Sequence, residues 1–486
     1  MRKIPKCMST QHPDNVNPPF FASNTELGGE DEICEAYYVF SHLGCDEQMW
    51  DCEGKEVDTF VVRKLFTKYE SFFREKILGK DVFLTLRVPN PSIEKAEAKV
   101  LLETLESIPR SFDAAKLFYG ADIPPIFEVI LPMVTSAEDL DRIYRYYHDF
   151  VVGIQNKPIR PNDITIAEWI GEFKPESINV IPLFEDMERM LNAHKITKEF
   201  LQDKDVEYQR VFLARSDPAL NYGLISAVLL NKIALQRLHR LSEESGIEIY
   251  PIIGVGSAPF RGNLRPQTIE RVGKEYPSVH TFTIQSAFKY DNPPNIVKEA
   301  IRKLLMRETT APQEVNEEKC LEIIDKYTRE YQKQILILAP IINKVARYVP
   351  SRRKRKLHIG LFGYSRNING IKLPRAIKFT ASLYSIGLPP EILGLNALND
   401  KDIQFIREIY VNFDSDLKDA LRYLNPEGTF LPEALRRKII DLEIDLDVDE
   451  EHKEITENIL RILKKNERED ISEYILRAAN LRKFLG

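Results

Sequence analysis

Short apolar runs recur along the chain, separated by segments with helical spacing. Val82–Val88, Pro125–Leu131, Ile178–Phe184, Val211–Ala214, Ile247–Ile253, Val279–Gln285 and Leu357–Phe362 read as strands. Each is short, rich in Val, Ile, Leu or Phe, and bounded by polar or turn residues. A weaker run near Asp46–Trp50 makes an eighth. Between them, Phe60–Leu78 and Asn221–Leu241 carry apolar residues at helical spacing, and Asn90-Pro91 supplies an N-cap followed by Pro in the first turn. Ser136 with Asp139 has the form of a capping box. Eight strands alternating with helices predict an α/β fold, a (β/α)8 TIM-type barrel with many additional helices. Residues 1–30, rich in Pro, Asn and Gly, read as an N-terminal loop. Residues 31–293 then hold most of the barrel, and residues 294–486 form a helix-rich C-terminal part that carries the last strand. One of its helices, Glu314–Tyr348, is expected to be interrupted at Pro340. The whole is expected to be a single large domain, 1–486.

Composition narrows the function. With 68 basic and 74 acidic residues interleaved, the net charge of −6 exerts no general attraction for nucleic acid. The dense run Arg352-Arg-Lys-Arg-Lys356 lacks interleaved aromatics and reads as a solvated loop, and Asp441–Glu451 as a solvated acidic face. The five cysteines are odd in number and show no CxxC spacing, which suits a reducing, cytoplasmic setting without disulfides or zinc. No apolar stretch is long enough for a membrane span, and the first residues do not form a signal peptide. The 29% of charged residues, with many Glu/Lys neighbours, resembles the usage of heat-stable proteins.

Candidate chemistry gathers at strand ends. The run from Ile178 to Asp217 reads as a βαβ unit, so Glu185 and Asp217 would share one rim of a parallel sheet. Two carboxylates there suit a hard cation such as Mg²⁺, which keeps several waters; they equally suit two helix-capping acids. Trp50, Arg87, Arg261, Lys289 and Arg366 also fall at or just past strand C-termini, the catalytic face of a barrel. Trp50 suits a core anchor as well as a pocket wall. Gly254–Gly262 matches neither a dinucleotide fingerprint nor a phosphate-binding P-loop; with Arg261 it reads as an anion site or as a tight turn. His12 precedes Pro13 in a polar loop, where it is either a surface residue or a functional one.

Several of these stretches together resemble one family. Met8-Ser-Thr-Gln-His-Pro-Asp-Asn15, Val180-Ile-Pro-Leu-Phe-Glu185, Ala214-Arg-Ser-Asp217 and Leu373-Pro-Arg-Ala-Ile377 are similar to phosphoenolpyruvate carboxylase in its short, archaeal-type form, over the whole chain. The resemblance implies a barrel enzyme, a homotetramer requiring Mg²⁺ or Mn²⁺, that converts phosphoenolpyruvate and bicarbonate to oxaloacetate and phosphate. It implies a catalytic role for His12 and for Arg261, and metal binding by Glu185 and Asp217. Arg87 matches a phosphate-contacting arginine, Trp50 resembles a tryptophan near the bicarbonate site, and Arg366 and Arg375 fall on family arginines. Two departures stand out. Ile253-Gly-Val-Gly-Ser257 lacks the His and Arg that open the glycine-rich loop of larger members, and a later substrate arginine falls on Gly387. Arg215, Arg366 and Lys289 are the candidates to replace the missing phosphate-binding cations, and Gly254–Gly262 is expected to be a mobile lid. The C-terminal residues Asn480–Gly486 also depart from the family's usual tail, so aspartate inhibition is not implied. The rival reading is another Mg²⁺-enolate barrel enzyme, a phosphotransferase or a lyase.

Overall fold

Eight parallel strands close into a ring in the order of the sequence: β1 Cys7–Ser9, β2 Glu47–Asp51, β3 Phe83–Arg87, β4 Glu128–Leu131, β5 Asn179–Phe184, β6 Tyr208–Ala214, β7 Glu248–Gly254 and β8 Thr281–Ile284. The structure is a computed structural model that describes residues 3–54, 58–354, 366–368, 370–465 and 470–486. Every neighbouring pair in the ring is parallel, and β8 closes on β1 through Cys7–Phe282, Met8–Thr283 and Ser9–Ile284. Helices follow most strands, and the chain after β8 is almost wholly helical among the described residues.

This closure corrects the expected strand set. The N-terminal segment supplies β1, and the ring has no open edge left for Leu357–Phe362, which itself lies outside the described residues. The barrel strands therefore span residues 7–284, and residues 294–486 carry no strand of the ring among the described residues. β1 has only three residues, shortly after Pro5 and before Pro13, too few for an alternating pattern. Pairing on both edges holds it extended. Three helical expectations also shift. Phe60–Leu78 breaks at Tyr69 into Val61–Lys68 and Glu70–Glu75. Ser136 makes no side-chain cap; Asp139 instead accepts from the N–H and hydroxyl of Thr135. Glu317–Val345 runs unbroken through Pro340, because Tyr327, Tyr331, Ile335, Leu338 and Ile342 bury one continuous face. Among the described residues no helix is long and apolar enough to cross a membrane.

Inside the ring, period-2 alternation stacks side chains in layers. Met8, Met49, Ile130, Ile181, Leu183, Phe212 and Ile252 form an apolar interior cluster. Beneath it, toward the strand N-termini, lies a charged layer from the even strands. Arg210 donates to Glu47 Oε1 and Oε2 at 2.8 and 2.7 Å, to Glu128 Oε2 at 2.9 Å and to Thr281 Oγ1 at 3.3 Å. Arg210 and Glu47 are fully shielded from solvent. Two carboxylates around one buried guanidinium seal the ring opposite the site, leaving the strand C-termini as its open mouth.

Removing one member of a buried ion cluster leaves uncompensated charge. Arg210→Met is expected to lower stability in urea denaturation by about 3–5 kcal/mol. Adding Glu47→Gln and Glu128→Gln is expected to recover most of that loss. Equal stability of Arg210→Met and wild type would show that the layer carries no net weight.

Candidate active site

A cavity of about 370 Å³ opens at the C-terminal ends of the strands. It is lined by His12, Met49, Arg87, Leu183, Glu185, Phe212, Ala214, Arg215, Asp217, Arg261, Thr283 and Gln285, and from outside the ring by Pro350–Arg353 and Pro374–Lys378. Cations outnumber acids in this lining: Arg87, Arg215, Arg261, Arg352, Arg353, Arg375 and Lys378 face Glu185 and Asp217. An anionic ligand fits such a wall; a cationic one does not.

His12 arrives on the turn after β1. Its Nδ1 lies 2.9 Å from Thr10 Oγ1, and its carbonyl accepts from Ser286 N–H at 3.2 Å. The turn is tied to the segment after β8. Ala287 N–H donates to Asp14 Oδ1 at 2.7 Å, and Val16 N–H to Asp291 Oδ2 at 2.7 Å. Lys289 belongs to this anchorage and does not line the cavity. Its buried Nζ donates to Ser9 Oγ, Thr10 O and Glu35 Oε1 at 2.9–3.0 Å. Lys289 therefore braces the His12 turn instead of meeting a phosphate.

Strand alternation decides Trp50. Met49 points into the ring and Trp50 points out, buried in the outer core against Leu86, Thr104 and Ile126. It is a core anchor and does not line the cavity. Arg87 sits at the end of β3 opposite Asp51. It donates to both Asp51 oxygens at 3.1 and 2.8 Å, so its fork is fixed. Asp51 is itself placed by Gln11, whose Oε1 accepts the Asp51 N–H at 3.0 Å.

Glu185 follows β5 directly, and Met133 N–H donates to its Oε2 at 2.8 Å. Asp217 is half-buried in the first turn of the helix Ser216–Tyr222 after β6. β5 and β6 are neighbours, which brings the two acids to adjacent positions on the rim. Among the described residues no group of three or more His, Cys, Asp or Glu converges as a metal cage. Two hard oxygen donors with cavity space beside them fit Mg²⁺ or Mn²⁺, which completes its shell with water and substrate oxygens.

The glycine-rich loop differs from the expected lid. Arg261 is only 2% exposed and spreads its donors over four partners. These are Ser216 Oγ at 3.2 Å, Asp14 Oδ2 at 3.3 Å, Gln285 Oε1 at 2.6 Å and the backbone oxygen of Gly486 at 2.8 Å. Gly256 is needed because a Cβ there would lie 2.9 Å from the Arg261 guanidinium carbon. The adjacent Phe260 is clamped at both backbone groups. Its N–H donates to Glu391 Oε1 at 2.6 Å, and its carbonyl accepts from Arg215 Nη1 at 3.2 Å. Arg215 also donates through Nε to Tyr276 Oη at 3.3 Å, so this guanidinium braces the loop while lining the cavity. From Val255 to Gly262 the loop is buried and bonded from beneath, and it forms one wall of the cavity.

Two arginines that the sequence pattern assigned to a solvated loop are buried here: Arg352 at 7% and Arg353 at 3% exposure. Arg353 donates to Glu32 Oε1 at 2.7 Å and to Glu35 at 3.0 and 2.9 Å. Burial penalises the Glu35 charge, but Arg353 and Lys289 beside it hold its carboxyl below the usual range. Nothing in the basic run itself separates Arg352 and Arg353 from the exposed Lys354; their acidic partners are some 320 residues away in sequence. Arg375 is exposed at the rim as the N-cap of the helix Ala376–Ser385. Arg366 starts the strand Arg366–Ile368 of a separate two-stranded ribbon, and its side chain lies outside the described part of the structure.

Glu391 makes the clamp sensitive to pH. Burial pushes its carboxyl up to about 7 from an ordinary 4.5. A carboxyl whose folded value lies above its unfolded one stabilises the fold fully below about pH 4.5, and that contribution is lost as pH rises through about 7. Glu391→Gln keeps an acceptor for Phe260 N–H and Tyr384 O–H without the charge. The variant is expected to match wild type in thermal denaturation at acidic pH and to exceed it by roughly 1–3 kcal/mol at mildly alkaline pH. A variant that is less stable at both pH values would show that the carboxylate is needed in its ionised form.

Comparison with known proteins adds an independent observation. A family model described as phosphoenolpyruvate carboxylase matches residues 4–486. The chain is 61% identical over 484 residues to a protein named phosphoenolpyruvate carboxylase from Methanothermobacter thermautotrophicus, covering 100% of both chains. A protein of the same name from Methanospirillum hungatei is 59% identical over 484 residues, again covering 100% of both. One from Pyrococcus furiosus is 58% identical over 428 residues, covering 87% of this chain and 89% of the relative.

Proposed function

The chain belongs to the phosphoenolpyruvate carboxylase family, which makes it an enzyme that carboxylates phosphoenolpyruvate, and from that premise we propose how its cavity does so. The reaction joins phosphoenolpyruvate and bicarbonate and releases oxaloacetate and phosphate, the work of a carboxy-lyase. The observation that carries the reading is the convergence of His12, Glu185, Asp217 and Arg261 on one cation-rich cavity. The rival reading, another Mg²⁺-enolate barrel enzyme such as a phosphotransferase or an acid lyase, has no comparable support.

Glu185 and Asp217 would hold a divalent cation, Mg²⁺ or Mn²⁺, which would supply Lewis-acid stabilisation of negative charge on the substrate. The other steps belong to the chain. Bicarbonate oxygen attacks phosphorus, the P–O bond to the enol breaks, and carboxyphosphate and the enolate of pyruvate result. Cations of the cavity wall screen the two anions during this approach, with the Arg87 fork oriented by Asp51. His12 accepts the carboxyphosphate proton as its C–O bond breaks to CO₂ and phosphate. A positioned general base of this kind typically contributes about 10²–10⁴-fold. Arg261 holds the carboxylate end, keeping CO₂ beside the enolate carbon until the new C–C bond forms. Held by four partners, Arg261 is preorganised, which lowers the ordering entropy lost when substrate arrives.

The assembly is a homotetramer, and the exposed apolar side chains Phe150, Ile164, Trp169 and Ile170 provide surface that subunit contact would cover. The setting is cytoplasmic, in keeping with five free cysteines.

An assay that couples oxaloacetate to a dehydrogenase, with phosphoenolpyruvate, bicarbonate and Mg²⁺ each omitted in turn, tests the reading. Oxaloacetate is expected only when all three are present; turnover without bicarbonate would remove the carboxylase assignment. In that assay His12→Asn is expected to lose at least about 10²-fold in kcat while Mg²⁺ binding is retained. Arg261→Lys, which cannot reproduce a planar four-partner fork, is expected to keep cleaving phosphoenolpyruvate but to release pyruvate. Loss of both products together would make Arg261 a structural or phosphate-binding residue.

A further inference from the structure

Several groups of the cavity are connected to one buried carboxylate that does not itself line it. Glu35 lies in the helix Glu30–Tyr38, between β1 and β2 in the chain, and its side chain is fully shielded from solvent. Its two oxygens accept from four side chains. Arg353 Nη2 donates to both, at 3.0 and 2.9 Å. Lys289 Nζ and the hydroxyl of Tyr290 donate to Oε1 at 3.0 and 2.6 Å, and Gln11 Nε2 donates to Oε2 at 3.4 Å. These donors come from segments distant in sequence: the turn after β1, the segment after β8, and Pro350–Arg353, which reaches the cavity from outside the ring.

Each route from Glu35 ends on a group of the cavity. Arg353 lines the cavity itself. Lys289 reaches from Glu35 to the carbonyl of Thr10 at 2.9 Å, two residues before His12. Gln11 accepts the Asp51 N–H at 3.0 Å, and Asp51 holds the Arg87 fork. Charge neutralisation does not by itself call for this arrangement. Arg353 and Lys289 stand against Glu32 and Glu35, so an acid of any length at this place would balance them. Gln11 and Tyr290 bring no charge to be matched, so their contacts serve geometry. Donors that converge on two oxygens hold one another at set distances, and the low local dielectric strengthens each bond.

We propose that Glu35 is a positioning residue for the carboxylation: from outside the cavity, its one carboxylate sets the spacing of Arg353, His12 and Arg87 around the substrate. This rests on the reading that the cavity carboxylates phosphoenolpyruvate with His12 as the base. Attack on phosphorus, loss of CO₂ from carboxyphosphate and its capture by the enolate follow one another at groups carried by different segments. Displacing one such group by about 1 Å can cost about 10²-fold in rate. The helix Glu30–Tyr38 contributes no residue to the cavity lining, yet it carries the reference point that those segments share.

Glu35→Asp tests the assignment, because it keeps the charge and withdraws both oxygens by one methylene. Activity is measured on the full chain at a temperature where circular dichroism shows complete folding. The variant is expected to lose about 10–10²-fold in kcat. The acidic limb of its pH profile, where His12 takes up a proton, is expected to move. Lower thermal stability with kcat and pH profile unchanged would make Glu35 a structural residue and overturn the proposal. Lower kcat with the acidic limb in place would overturn the part that concerns His12. Should Glu35→Asp fail to fold, Tyr290→Phe decides: it removes one donor to Glu35 at a side chain that does not line the cavity, and is expected to lower kcat about threefold. Unchanged kcat in that variant would overturn the proposal. A wild type that forms no oxaloacetate would overturn the functional reading instead. Carbethoxylation of His12 by diethyl pyrocarbonate, followed against pH by peptide mass mapping, then decides the positioning. A rate and pH dependence equal in wild type and variants would overturn it.

Discussion

Hydrogen-bonded closure of β8 onto the three-residue β1 is the contact on which the site depends. So short a strand has little preference of its own for extended structure; its two neighbours impose it. Once Met8 is paired with Thr283, the chain leaves the ring at the rim, and His12 follows within one turn. Asp14, Asp291 and Lys289 then bond that turn to the segment after β8, so the first and last strands hold the His12 turn between them. The charged layer at the opposite end of the ring acts in the complementary sense. By filling the interior near the strand N-termini, Arg210, Glu47 and Glu128 leave a single open mouth.

Electrostatics explains how many buried cations coexist around a small cavity. Most are matched within the fold: Arg353 by two glutamates from the helix Glu30–Tyr38, Arg87 by Asp51, and Arg261 by Asp14. Buried guanidinium groups without such partners would be costly. Pairing fixes their geometry, at the expense of the charge left for a ligand.

Preorganisation is the common theme of the rim. Phe260 is held at both its N–H and its carbonyl, and Arg261 next to it has four partners. Holding Arg261 this firmly suits a reaction in which a small, weakly bound intermediate must stay beside the carbon that attacks it. Glycine serves close approach here: Gly256 leaves room for the Arg261 guanidinium.

Periodicity and turn chemistry alone made much of this protein legible. The strands that contain Leu84, Val129, Val180, Val211, Ile252 and Phe282 announce themselves because buried parallel strands are continuously apolar. Glu185, Asp217 and Arg261 stand out because polar residues directly after such strands have few other reasons to be there. The tertiary structure decided what local pattern does not encode. β1 exists through pairing, Trp50 faces outward through its register, and Lys289 is a tether through a contact with a turn some 280 residues earlier. Arg352 and Arg353 look like solvated basic residues until the fold brings Glu32, Glu35 and Val16 against them. Sequence carries burial and spacing along one chain direction. Which charge meets which partner depends on contacts between distant segments, and only the closed ring sets those.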